Sequence, residues 1–175
     1  MPTEISGSTG VDKIQDGTVV AADLASGAVA DNTPSFSVVL SGNQSVSNTT
    51  ETKIAWDTEE WDSDGAFASN KFTVPSGKAG KYHFSGVVIM RNIDDNELAS
   101  IRVMVNGTDS AGGHNHYRFN YMGTGTNTFT SSPISVDLNL AVGDYVELFI
   151  YHNEGSAQNV DAGYSRWSGY KLAGV

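Results

Sequence analysis

YVELFIYH, residues 145–152, decides the fold. Successive side chains of an extended chain point to opposite sides, so Val146, Leu148 and Ile150 share one face while Tyr145, Glu147, Phe149 and Tyr151 share the other. IRVMVN, residues 101–106, repeats the pattern, with Ile101, Val103 and Val105 on one face and Arg102 and Met104 on the other. In both segments the second face is too aromatic or aliphatic for open water. A second sheet or a neighbouring subunit could cover it.

Working outward, similar runs follow one another from residue 36: FSVVL (36–40), TKIAW (52–56), KFTVP (71–75), GKYHFSGVVIMR (80–91), HYRFNYMG (116–123), TNTFTSSPISVDLNL (126–140) and SRWSGYKLA (165–173). They are rich in β-branched and aromatic residues and are separated by Gly, Asn, Asp, Ser and Pro, the pattern of an all-β sandwich or barrel. No long amphipathic helix is legible. A domain boundary is expected near Asp31–Ser35, with residues 1–33 an arm and residues 34–175 a single knob domain.

The arm has a period of its own. Residues 5–29 divide into ISGST, GVDKI, QDGTV, VAADL and ASGAV, which spaces Ile14, Val19, Leu24 and Val29 five apart and Gly7, Gly17 and Gly27 ten apart. A period of five turns about 140° per step on a helix and changes face at each step of a strand, so neither can bury that row within one chain. The Asp-Gly and Ser-Gly pairs suggest repeated turns in an extended arm whose isolated aliphatics seat on another protein or a sister arm. A disordered leader is the alternative, given the small polar composition.

Composition narrows the function classes. There are 10 basic and 20 acidic residues, for a net charge of -10, and nucleic acid and anionic membrane both require a basic footprint. The absence of cysteine excludes disulfides, thiolate catalysis and zinc-thiolate sites. MPTEISGSTG has neither the basic region nor the apolar run of a secretory signal, and no stretch approaches the ~18 apolar residues of a membrane span.

Candidate sites are few. His114 and His116, flanking Asn115, could share a strand face and hold a metal around an axis, but no third ligand is adjacent, which leaves this loop as a possible recognition element. Asp62 and Asp64 in DSDG lack the remainder of a calcium loop and read as a turn. Asp94, Asp95 and Glu97 in NIDDNE are candidate calcium ligands against the alternative of a solvated acidic loop. No nucleophile elbow, phosphate loop or paired-carboxylate motif is present, so no enzyme activity and no cofactor are expected. Tyr117, Phe119 and Tyr121, together with Phe149 and Tyr151, are the candidate trimer contacts. The sequons NQS, NTT and NGT matter only in a secretory pathway.

PSFSVVL (34–40), KIAWDTEEWD (53–62), FTVPSGKAGKYHFSGVV (72–88), LNLAVGDYVELFIYH (138–152) and SRWSGYKLAG (165–174) resemble, in order and spacing, the globular head of the complement q subcomponent, whose jelly roll is shared with tumour necrosis factor. The resemblance implies ten strands in two sheets, a trimer around a threefold axis, and structural roles for Gly80, Tyr82, Phe84, Gly143, Asp144, Trp167, Gly169 and Leu172. It departs in the 106–130 region, which is richer in His, Asn and Gly. The arm, in turn, resembles the low-complexity leaders of bacteriophage fibre and decoration proteins. Together these imply a virion-surface structural protein, a capsid decoration, head fibre or short tail-fibre knob, with neighbouring virion proteins as partners. The alternative is a fibre tip that binds a host receptor or glycan through the 106–130 region.

Overall fold

A computed structural model describes residues 31–107, 116–122 and 129–173. Its strands are β1 (Ser35–Val39), β2 (Gln44–Val46), β3 (Thr52–Lys53), β4 (Thr58–Asp62), β5 (Phe67–Ala68), β6 (Lys71–Thr73), β7 (Gly80–Arg91), β8 (Leu98–Val105), β9 (His116–Met122), β10 (Phe129–Leu140), β11 (Tyr145–His152), β12 (Gln158–Val160) and β13 (Arg166–Lys171). These thirteen segments exceed the ten strands that the resemblance implies, and two of them, β3 and β5, are only two residues long. Among the described residues there is no helix.

The strands form two antiparallel sheets packed as a jelly roll. In the seven-stranded sheet the order is β2-β12-β7-β13-β1-β4, with β10 on the other side of β7. In the six-stranded sheet it is β5-β6-β11-β8-β9, with β3 also on β11. Among the described residues β10 pairs only with β7, and this edge position tolerates Pro133, which has no N–H to give to a further strand. Strand β4 forms the opposite edge, where a register shift at Ser37/Val38 marks a bulge that discourages further strand pairing.

Alternation along the strands builds the core. Val146, Leu148 and Ile150 point inward with Ile101 and Val103, as the period-two reading requires. From the other sheet come Phe36, Tyr82, Phe84 and Trp167, whose rings stack or meet edge to face; Phe36 lies 4.9 Å from Trp167 and 5.2 Å from Phe72. Gly169 sits between Phe36 and Phe84 in the strand register, and its lack of a side chain leaves room for both rings. The turn joining β10 to β11 uses Gly143 at φ +87°, while Asp144 accepts the Ala141 N–H at 2.8 Å.

Tyr82 is fully buried, and its hydroxyl donates to the Lys78 carbonyl at 2.5 Å. Burial, with Asp64 adding to it, pushes the phenol up to about 12. The unfolded phenol ionises near its ordinary 10, so the stability contributed by this group is intact below pH 10 and lost as pH rises toward 12. Thermal melts are expected to show about 2 kcal/mol of destabilisation across that interval that Tyr82→Phe does not show. Identical alkaline profiles for the two proteins would place the alkaline transition on another group.

Candidate functional site

Side chains on the outer face of the seven-stranded sheet line up in cross-strand rows. Ser35, Tyr170, His83 and Asp137 form one row; Ser37, Ser168, Ser85 and Ser135 the next; Val39, Arg166, Val87 and Pro133 a third. His83 Nδ1 lies 2.8 Å from Asp137 Oδ1. Beyond the third row, Ile89, Phe129 and Tyr164 line an open apolar depression. Phe129 is 46% and Tyr164 59% exposed, and their rings meet edge to face at 5.4 Å. Arg91 stands at its rim. Its guanidinium lies 4.5 Å from the Phe129 centroid, and its Nε donates to the buried carboxylate of Asp161.

The outer face of the six-stranded sheet is more fully satisfied. Lys53 pairs with Glu147 at 2.5 Å and Arg102 with Glu51 at 3.0 Å, with Phe149 in register between Lys53 and Arg102. Arg118 Nε donates to Ser100 Oγ at 2.9 Å. Phe149 and Tyr151 are half-buried on this face, turned away from the core.

The expected trimer contacts therefore separate. Phe119 packs against the core of its own chain, and Tyr121 donates its hydroxyl to the Pro133 carbonyl, tying β9 to β10 along one side of the sandwich. Burial raises the Tyr121 phenol above its ordinary value. The arm residues Ile14, Val19, Leu24 and Val29, the loop residues His114 and Asn115, and the side chains of His116 and Tyr117 lie outside the described residues. Sequence reading missed the depression altogether. Ile89 was legible as a strand residue, but Tyr164 lies outside any strand in the turn after β12, where no periodicity reports on its surroundings.

The acidic loop between β7 and β8 is organised by its backbone. The Asp94 N–H donates to Glu154 Oε2 at 2.6 Å, and the Glu97 N–H to the Asp94 carbonyl at 3.0 Å. Among the described residues no three His, Asp or Glu side chains gather as a metal site would need. Chelation is accordingly expected to leave the melting temperature unchanged; a fall of many degrees, restored by calcium, would make Asp94, Asp95 and Glu97 ligands. Asp62 instead accepts the N–H groups of Ala66 at 3.0 Å and Phe67 at 2.8 Å, the bonding of a turn. Asp57, in the pocket formed by residues 40–44 with Ala55, is held below the usual carboxylate range by the Ser41 hydroxyl and then the Ser41 N–H.

No protein-family model matches the chain, and no curated relative matches it. Solved structures do. The globular domain of zebrafish complement 1qA protein matches at 15% identity and a TM-score of 0.56, covering 79% of this chain and 97% of that one. Eiger TNF from S. frugiperda matches at 16% identity and 0.56, covering 81% and 92%, and murine APRIL at 12% identity and 0.55, covering 79% and 98%. At such identities the likeness speaks to architecture alone: the chain folds as the jelly roll of complement q globular heads and tumour necrosis factor-like domains.

Proposed function

We propose that the protein is a non-enzymatic structural component of a bacteriophage virion surface, a homotrimeric jelly-roll knob held to the particle by its N-terminal arm. The observation that carries the trimer is the open depression of Ile89, Phe129 and Tyr164, which leaves two large aromatic side chains about half exposed, one at the start of β10 and one in the turn after β12. Large aromatic side chains such as these are enriched in protein–protein interfaces. The likeness in fold to complement and tumour necrosis factor domains supports the same assembly, and the resemblance of residues 5–29 to phage leaders supports the virion. Assembly is then the mechanism, with three arms per trimer giving multivalent attachment.

Deleting residues 1–30 tests the division of labour. The shortened protein is expected to remain a folded trimer and to lose attachment to arm-free particles, while Leu24→Asp in the full chain weakens attachment without moving the melting temperature. Full occupancy by the shortened protein would make the knob itself the anchor.

A further inference from the structure

The depression has a matching projection on the same chain. Trp61, on edge strand β4, is 52% exposed, whereas Trp56 and Trp167, the other tryptophans, are buried. Glu59 and Glu60 precede it; both are exposed, and Glu60 Oε2 accepts a hydrogen bond from Ser37 Oγ. Strand β4 thus presents a large indole beside two carboxylates. The depression presents the converse, an apolar aromatic hollow with the Arg91 guanidinium at its rim. Arg91 engages Asp161 through Nε, and a guanidinium carries further donors on its two terminal nitrogens.

Projection and hollow lie apart in the fold. Within the seven-stranded sheet, β4 is one edge and β10, which begins at Phe129, is the other. A chain does not bring its own opposite edges together, so the hollow of one copy is available to the β4 edge of the next. Contact between unlike surfaces is heterologous, and when its rotation closes it generates a ring. Contact between like edges would instead set Glu59 and Glu60 of one copy against the same carboxylates of another, which charge repulsion opposes. The bulge in β4 further turns that edge from strand addition toward side-chain docking.

Resting on the trimeric reading above, we infer that the copies join head to tail, Trp61 of each seated in the Ile89, Phe129 and Tyr164 hollow of the next with Glu59 and Glu60 beside Arg91. An aromatic anchor in an apolar pocket next to an arginine is the composition of an interface hot spot. The contact makes Trp61 the specificity-determining residue of assembly and leaves the outer face of the six-stranded sheet open.

Sedimentation of the full chain and three surface variants tests this. Trp61→Ala, the pair Phe129→Ala with Tyr164→Ala, and the pair Glu59→Lys with Glu60→Lys are each expected to weaken association about tenfold or more while the melting temperature of the knob holds. Mixed in equal amounts, the Trp61 variant, which keeps its hollow, and the hollow variant, which keeps its tryptophan, should form a one-to-one pair that neither forms alone. Acrylamide should quench Trp61 in dilute monomer and lose access to it on assembly. A wild-type trimer that all three variants leave intact, or a mixture that stays monomeric, would overturn the head-to-tail contact alone. A wild-type chain that is monomeric at micromolar concentration would overturn both this contact and the trimer on which it rests.

Discussion

Trp167→Ala is expected to cost about 3–5 kcal/mol, the range for emptying a large aromatic from a close-packed core. Its ring centroid lies 4.9 Å from Phe36, 5.8 Å from Phe67, 6.1 Å from Phe84 and 6.3 Å from Trp56, so one deletion removes the neighbour shared by four rings. Trp167 Nε1 is buried without a hydrogen-bond partner among the described residues, and its removal relieves that cost, which pulls the value toward the lower end. Urea unfolding should show the midpoint fall with the slope unchanged. A loss under about 1 kcal/mol would mean that the surrounding rings collapse into the space.

Gly169→Val should be comparably severe for the opposite reason. A Cβ built at Gly169 would stand 2.5 Å from Phe84 Cδ1 and 2.8 Å from Phe36 Cε1, well inside contact distance, and both rings are hemmed in by the core. Gly169→Ala alone is expected to cost about 1–3 kcal/mol as overpacking, and the valine more. Space rather than backbone strain sets this penalty, so Phe84→Leu should be less damaging in the Gly169→Ala background than alone, a coupling that a double-mutant cycle reads directly. Additive losses would show that the two positions do not compete for the same volume.

These two residues also show what was legible. Trp167 and Gly169 were assigned structural roles through resemblance in SRWSGYKLAG, and the alternation of YVELFIYH and IRVMVN placed Val146, Leu148, Ile150, Ile101 and Val103 inside, where they are. Period-two alternation is a local property that burial on one face enforces, so it survives in the sequence. The outer faces were harder. Phe149 and Phe119 occupy similar alternating contexts, yet one faces outward and the other packs on the core, because β9 closes the side of the sandwich against β10. That closure depends on strands distant in sequence, and alternation tells only which residues share a face. The hollow was invisible for the same reason: Ile89, Phe129 and Tyr164 come from the end of one strand, the start of another and a turn, joined only by the topology.

Composition and spacing carried only the expectation of a surface rather than a catalytic centre, because sparse charge and missing cysteine name no contact residues. The site such a protein offers is then a matter of which apolar side chains the fold leaves uncovered. Here those include Trp61 on one edge of the larger sheet and Phe129 at the other.

Equilibrium sedimentation of the purified chain at micromolar concentration addresses the trimer most directly. A mass of three times the 18.6 kDa chain, falling toward the single-chain mass on substitution of Trp61 by alanine, is the predicted result. A single species at 18.6 kDa for the unmodified chain would contradict it.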